Sequence, residues 1–578
     1  MPDGEPKKVS KVEEFKSASR HLRGTIAERL ADESTTHFEE ADVQLLKFHG
    51  TYQQDDRDLR RELRAAGEEK AYQFMVRVAI PAGVVQAEQY LALDAIADRY
   101  ANHSLRITTR QGIQFHGVLK SNLKAHIKAI NDALLTTIAA CGDVERNVMG
   151  CAIPLDDPVY RIVREQAREI AIALRPATRA YYEIWLDGEK QVTSEEQEPL
   201  YGDTYLPRKF KTGITCAGDA SIDLYSYDCG LLAIVEDGAI AGYNVLVGGG
   251  MGMTHNKEDT FVRLASELGF VGPEHAVATV QTAAGIFRDF GNRADRRHAR
   301  LKYLIEERGL EWFREEFIRR APFELGAWRP MPAPRYHDFV GKHAQGNGQY
   351  LYGLYVENGR IIDRDDQRLK SALRAIVARH QPEIILTPNQ NVLLTGLTEA
   401  AVDDIETTLT AHGVPLPTNL SAARRYSMAC VALPTCGLAM AESERLMPSV
   451  VDRFEAELAS LGLGDAPITL RMTGCPNGCA RPYTADIAFV GRSPDVYHVF
   501  VGGGLAGDRL ADLYAKDVST GDLVATLRPL LTAWATKRRA DESLSDFYQR
   551  HIDRDAPRHL LTGKEDATMS LVQLGNGS

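Results

Sequence analysis

No apolar run of about eighteen residues occurs anywhere in the 578-residue chain, so no membrane-spanning helix is expected. Residues 1–30 lack the apolar core of a secretory signal, which points to a cytoplasmic protein whose thiols stay reduced. Positive charge is in deficit, with 68 Lys and Arg against 79 Asp and Glu and a net charge of −11. That balance argues against nucleic acid as the main partner, because neutralising phosphates needs a basic face. Cysteines number only eight, and in a reducing compartment they read as core residues, metal ligands or redox centres rather than disulfides. What remains, 44% hydrophobic and 25% charged residues, is the make-up of a folded globular protein with length for several structural units.

The pattern is written twice. Residues 73–80 (QFMVRVAI) read as a strand and 86–101 as a helix; LRITTR, QFHGVL, a helix over about 122–139 and a strand near 145–150 follow. That β-α-β-β-α-β order is the split unit of ferredoxin-like folds. It returns as YLYGLYV, a helix over about 367–380, EIILT, NVLLTG and a helix over about 399–411. Thr108, Gln111 and Gly117 match Thr387, Gln390 and Gly396 at one constant offset, and YNVLVGGG (243–250) echoes YHVFVGGG (497–504). The fold class expected is therefore α+β with a pseudo-twofold duplication, each half a ferredoxin-like unit followed by a larger α+β unit.

The layout expected is an N-terminal arm (1–66), read either as a docking element for a partner or as a plain surface arm, then the first ferredoxin-like unit (67–150) and its α+β unit (151–325). A linker (326–344) follows, in a stretch marked by Pro322, Pro330, Pro332 and Pro334. The second ferredoxin-like unit (345–420), its α+β unit (421–560) and a tail (561–578) complete the chain. Such arrangements place ligands at a cleft between halves.

Cys430 and Cys436 form C-x5-C, and Cys475 and Cys479 form C-x3-C in TGCPNGCARP. Zinc knuckles hold their ligands in tighter pairs. Loops bearing Gly437, Gly474, Pro476 and Gly478 suit a cubane four-iron cluster better. The unpaired Cys141, Cys151, Cys216 and Cys229 read as small buried hydrophobes, with Cys151 close enough to Arg146 in sequence to approach a site. His116 and His255 show no metal spacing and read as structural.

Cations appear inside strands of the first half: Arg77, Arg106, Arg110 and Arg146, with Arg208, Lys209 and Lys211 in YLPRKFKTG. Each alone reads as a snorkelling surface residue. Alternation places Arg106 and Arg110 on one side of one strand, and Lys209 and Lys211 on one side of another. Crowded cations of this kind are costly unless an anion fills the space. Cations in one half and thiols in the other imply two divergent copies serving one large anionic, redox-active ligand.

Together with LRITTRQGIQFHG, ERNVMG, GTYQQDDRDLR, YGDTYLPRKFKTG and NVLVGGGMG, the cysteine signature resembles the sirohaem and four-iron cluster sulfite/nitrite reductases. The likeness runs from about residue 17 past residue 550. It implies sirohaem and a 4Fe-4S cluster on Cys430, Cys436, Cys475 and Cys479, with Cys479 also the bridging axial ligand of the sirohaem iron. It assigns Arg77, Arg146, Lys209 and Lys211 to sulfite. Arg106, Arg110, Arg208 and Arg300 then face cofactor carboxylates, and Gly248, Gly249, Gly250 and Asn477 approach the macrocycle or cluster. The implied reaction is six-electron reduction of sulfite to hydrogen sulfide in assimilatory sulfate reduction and cysteine biosynthesis, fed by a separate NADPH-dependent flavoprotein (alpha) subunit. Ammonia-forming nitrite reduction and ferredoxin-dependent sulfite reduction are the alternatives with the same cofactors. A scaffold holding a cluster alone and a zinc-organised module are the rivals without sirohaem.

One motif competes. Gly502, Gly504 and Gly507 spell G-x-G-x-x-G after a strand, with Asp522 downstream, the pattern of a dinucleotide site. The equivalent GGGMGM lacks the third glycine, so a turn that brings backbone close to a cofactor is the preferred reading.

Overall fold

The computed structural model describes residues 9–186 and 198–552, and the expected tail at 561–578 lies outside them. The chain forms two compact units. The first runs up to Gly249 and includes Ala265–Leu354 and Arg360–Val414; the second comprises Gly250–Leu264, Tyr355–Gly359 and the chain from Pro415. No helix among the described residues is long and apolar enough to cross a membrane.

Among those residues the first unit holds three five-stranded sheets. One has the order Thr51–Asp55, Tyr72–Val78, Ile113–Val118, Leu105–Ile107, Arg360–Ile361. Another runs Gly341–Ala344, Tyr350–Leu354, Val392–Leu397, Glu383–Leu386, Val84–Val85. Each therefore ends in a two-residue strand donated by the other copy, with Arg360 opposite Arg106 and Ile384 opposite Val85. The matched glutamines fasten the exchange. Gln111 Nε2 donates to Leu386 O at 3.1 Å and Gln390 Nε2 donates to Ile107 O at 3.2 Å, so each copy ties down the other's strand end. Both residues take positive φ, 54° and 68°, and the threonine hydroxyl three residues earlier closes each turn by accepting from Gly112 N or Asn391 N. Helices cover these sheets where the apolar period demands. Ala87–Tyr100 opens on a Gln86/Gln89 capping box, and Glu399–Ala411 opens on Thr398, whose hydroxyl accepts from Ala401 N.

The third sheet, Met149–Gly150, Thr212–Cys216, Cys229–Glu236, Ala239–Val247 and Ser266–Val271, pairs parallel, parallel, antiparallel, antiparallel. The sheet of the second unit repeats that sequence of pairings in Ser427–Ala429, Leu470–Thr473, Ile487–Ser493, Val496–Val501 and Asp512–Ser519. Its triple glycine turns back identically: Gly248 N and Gly249 N donate to Asp228 O and Tyr227 O, and Gly502 N and Gly503 N donate to Asp486 O and Ala485 O. The duplication thus extends through both components of each half.

Several expectations change. The segment Gly502–Gly507 leads into the antiparallel strand Asp512–Ser519 rather than a helix, so no helix N-terminus exists there to bind a pyrophosphate. The residues before 67 pack onto the unit: Leu22, Ile26, Leu45, Leu46 and Phe48 are buried, and Thr51–Asp55 is an edge strand. Polar composition concealed a few well-spaced apolar anchors. The proline-rich stretch is strapped down through single bridges, Gly326 to Phe270 and Arg335 to Asp219, since prolines cannot donate to a continuous ladder. The helix expected over 122–139 is Leu123–Asp132, and Leu134 follows at φ 58°.

Two predictions follow from this packing. Gln390→Ala should cost about 1–3 kcal/mol in urea denaturation. Gln111→Ala should cost more, because Gln111 also donates to Ala82 O and accepts from Gly150 N. Buried histidines set the acid limit. His49 accepts from Trp185 Nε1 through Nδ1, so its proton sits on Nε2 facing Leu22 O, and burial pushes its pKa down to about 4. His126 has no hydrogen-bond partner on either ring nitrogen, and burial pushes it down to about 3. Both must be neutral to stay folded, so their contribution is intact above the unfolded value near 6.5 and is lost as pH falls toward 4. His126→Phe should flatten the fall in denaturation midpoint between pH 6.5 and 4, measured at fixed ionic strength.

Candidate functional site

A cross-strand row organises the cations of the first unit. Arg77 lies opposite Gln114, Gln114 opposite Arg106, and Arg106 opposite Arg360, so all four side chains share one face. Like charges directly opposed in a sheet are destabilising, and Arg106 is nevertheless buried. Arg360 comes from the exchanged strand and donates to Ser104 Oγ, with its guanidinium 3.2 Å from His116 Nδ1. His116, expected to be structural, meets the exchanged strand at this arginine.

Arg77 Nη1 lies 3.1 Å from the Cys141 thiol, and its guanidinium carbon is 6.0 Å from the Tyr52 ring centre. Arg146 is buried; it donates to Gly142 O and Ala140 O and reaches the Tyr52 hydroxyl at 3.5 Å. Around this pair Asp143 receives Arg296 at 2.8 Å and stands 3.6 Å from both Lys16 and Arg208. Burial alone would raise the Asp143 pKa, but Arg296, Lys16 and Arg208 outweigh it and hold the carboxyl well below the ordinary range. Lys47, pushed down to about 8 by burial and by Arg208, adds a further cation beside Tyr52.

Lys209 and Lys211 flank Phe210, the residue that bridges to Glu145. The strand begins only at Thr212, so the expected shared strand is an extended lead-in held at one bridge. Burial, then Lys209, Arg110 and Arg300, drive the Lys211 pKa well below its usual value. Arg110 does not share a strand with Arg106. That strand ends at Ile107, because the Thr108 hydroxyl accepts from Arg110 N and Gly112 N and turns the chain. Arg110 instead stacks 4.8 Å from the Tyr227 ring centre and donates Nη2 to Asn147 O and Thr212 O, while its buried Nε and Nη1 have no acceptor among the described residues. Arg300 is paired in bidentate fashion with Asp228, at 2.8 and 3.2 Å, and neighbours fully buried Lys302. The surplus of buried positive charge over Asp143 and Asp228 can hold anions.

The triple glycine has a packing reason of its own. Gly248 takes φ 82°, a Cβ on Gly249 would stand 2.3 Å from Tyr225 O, and Gly250 N donates to Arg263 O.

In the second unit Cys430 ends the strand Ser427–Ala429, its N–H donating to Met472 O, and Cys475 follows the strand Leu470–Thr473. Gly474 N points at Cys430 Sγ at 3.3 Å, and Asn477 Nδ2 lies 3.6 Å from Cys475 Sγ. Glycine is required in these loops: a Cβ on Gly474 would stand 2.6 Å from Ala441 O, and one on Gly478, at φ 63°, 2.8 Å from Met251 O. The thiols share one neighbourhood. Burial and then Cys479, with smaller contributions from Cys475 and Cys436, raise the Cys430 pKa; burial and then Cys479 push Cys475 up to about 12. Cys479 is exposed. Four thiols on two widely spaced pairs, with N–H donors from Gly474 and Asn477 aimed at Cys430 and Cys475, suit a wide cluster better than one zinc ion. Buried Arg471 and Arg481 add cations here that the sequence reading did not single out.

Cys151, Cys216 and Cys229 are buried, as expected. Cys151 neighbours Asp219 and Arg164 rather than Arg146. Cys141 is buried too, yet it accepts from Arg77. Tyr52, Lys47, Arg296, Lys302 and Arg360 also escaped the sequence reading. Tyr52 lies within the quoted string GTYQQDDRDLR, which was its available signal.

Residues 165–325 and 421–551 match the model of the nitrite and sulphite reductase 4Fe-4S domain, and 66–133 and 342–412 match the nitrite/sulfite reductase ferredoxin-like half domain. The chain belongs to the nitrite and sulphite reductase family. A protein of Staphylococcus saprophyticus named sulfite reductase (NADPH) hemoprotein beta-component is 45% identical over 545 residues, 94% of this chain and 96% of that one. A protein of the same name from Geobacillus thermodenitrificans is 47% identical over 95% of this chain and 96% of its own. The structure of the Mycobacterium tuberculosis NirA protein is similar with a TM-score of 0.76 at 25% identity, covering 94% of this chain and 97% of that one.

The Arg300–Asp228 pair gives a direct test of charge balance. Arg300→Met should cost about 3–5 kcal/mol in urea denaturation by stranding a buried carboxylate. Combining it with Asp228→Asn should recover a large part of that loss.

Proposed function

We propose that this chain reduces sulfite to hydrogen sulfide by six electrons, in the cytoplasm, with sirohaem and a 4Fe-4S cluster as its cofactors. The observation that carries this reading is the combination of a four-thiol nest with a buried surplus of cations, in a chain similar over nearly its whole length to named sulfite reductase hemoproteins. Cys430, Cys436, Cys475 and Cys479 would hold the cluster, and Cys479, the exposed thiol, would also ligate the sirohaem iron. Asn477 and the glycines of the cysteine loops keep the surrounding backbone close.

When bound, the cofactor pair would supply one-electron redox chemistry. The protein's share is electrostatic. Arg77, Arg146, Lys209 and Lys211 bind sulfite, compensate its charge and keep proton donors beside the oxygens that leave as water. Arg106, Arg110 and Arg208 receive cofactor carboxylates. Arg110 suits this best, since its unpaired Nε and Nη1 are buried donors without an acceptor. Arg300 contributes with what its pairing to Asp228 leaves. Gly248, Gly249 and Gly250 allow close backbone approach. Electrons come from NADPH through a separate flavoprotein (alpha) subunit, a reading supported by the words NADPH and beta-component in the relatives' names.

The purified holoprotein should show a Soret-type band and about five iron atoms per chain, four in the cluster and one in the macrocycle. It should reduce sulfite with a chemical electron donor at higher kcat/KM than nitrite. Lys209→Met and Arg146→Ser should each remove most sulfite turnover while leaving the spectrum largely intact. Loss of sirohaem in both variants would reassign the two residues to the cofactor, and better turnover of nitrite would reverse the choice of substrate.

A further inference from the structure

Glu145 stands between the two segments assigned to the substrate anion, and its chemistry is unlike theirs. The stretch Asp143–Arg146 runs parallel to Leu206–Phe210: Leu206 N donates to Asp143 O, Phe210 N to Val144 O, and Arg146 N to Phe210 O. Glu145 closes this pairing from its side chain. Its carboxyl accepts from Thr212 N at 3.1 Å and from Thr212 Oγ1 at 2.6 Å. Lys211 is therefore pinned on both sides by one residue, through Phe210 at the backbone bridge and through Thr212 at the carboxyl.

Asn or Gln would satisfy such a clamp, so the carboxyl itself needs a reason. The titratable and charged groups facing it are Arg110, Asp228, Tyr201 and Cys229, with Arg146 next in the chain. Asp228 is committed to Arg300, the Tyr201 hydroxyl accepts from Glu145 N and donates to Leu174 O, and the Arg110 Nη2 donors go to carbonyl oxygens. Among the described residues no ion pair joins Glu145 to a cation. Burial then dominates and raises its pKa to about 8.

We propose that Glu145 is a positioning residue that sets the register of the Lys209–Lys211 segment as a neutral carboxyl, and that its ionisation weakens sulfite binding. A negative charge there would partly cancel the cations that attract the substrate anion. The inference rests on the sulfite-reducing reading above.

The experiment uses the holoenzyme at constant ionic strength. The KM for sulfite should rise several-fold more between pH 7 and pH 9 in the wild type than in Glu145→Gln, whose Oε1 can accept from Thr212 N while its Nε2 donates to Thr212 Oγ1 but which cannot ionise. The kcat profiles should change little by comparison. Thr212→Val should raise KM with the cofactor spectrum retained, and Thr212→Ser should restore it. A second readout is independent of turnover. Infrared spectra should show the carbonyl stretch of a buried protonated carboxyl at pH 7 that titrates away toward pH 9 and is missing in Glu145→Gln. Parallel KM profiles in the two proteins, or no such band in the wild type, would overturn the proposal. If the wild-type holoenzyme failed to reduce sulfite, the functional reading would fall while the infrared titration still decided the state of Glu145.

Discussion

The first unit crowds buried and half-buried cations around two carboxylates, Asp143 and Asp228, an arrangement that a folded protein ordinarily avoids. Asp143 receives Arg296 and stands near Lys16 and Arg208, and Asp228 is taken up by Arg300. At Lys211 and Lys302 burial and neighbouring cations outweigh Asp228, and both lysines lose basicity. Burial of like charges is tolerated only where geometry is enforced from outside or where an anion completes the set. The enforcing geometry is visible in backbone carbonyls, with Gly142, Ala140, Asn147 and Thr212 all taking guanidinium donors. Carbonyl oxygens orient arginines without neutralising them. The unit thus keeps its positive charge for a ligand.

The scaffold behind this is one pattern used twice and then specialised. Both large sheets share the order of parallel and antiparallel pairings, and both turn back on triple glycines fixed to the start of a neighbouring strand. In one copy the loop beyond the first strand leads to Cys151 and the nearby lead-in carries Lys209 and Lys211. In the other the corresponding strand ends at Cys430, and the next strand leads to Cys475. The ferredoxin-like pair went a different way. By exchanging two-residue strands and reciprocal glutamine bonds, it became a single body in which Arg360 of one copy completes an arginine row begun in the other.

What could be read from the sequence was whatever is local and periodic. Strand alternation, the helix at 399–411 and the repeated Thr-x-x-Gln turn all declare themselves within a dozen residues, because a positive φ and a threonine-capped turn are local demands. The cysteine spacing declared itself for the same reason. Arg360 could not be read, since its place depends on a two-residue strand crossing to another sheet. Lys47 could not be read either, because it lies in a stretch whose few buried apolar residues are diluted by charge, and Tyr52 offered only its place in the string GTYQQDDRDLR. The alternation argument for Arg106 and Arg110 failed at Thr108, whose hydroxyl bonds end the strand before its period could be completed.

The competing glycine motif shows why context decides such signals. G-x-G-x-x-G binds a pyrophosphate only when a helix N-terminus follows, because the helix supplies the unpaired N–H groups and the favourable dipole. Here Gly502 N and Gly503 N are already spent on Asp486 O and Ala485 O, and Gly507 N on Gly504 O. The chain beyond enters an antiparallel strand whose N–H groups belong to a ladder. A phosphate approaching this turn would find its donors used. The same spending explains why Gly249 recurs at the equivalent place in the first half: a side chain there would collide with the carbonyls of Tyr225 and Tyr227, so the glycines are demanded by the fold before any ligand is considered.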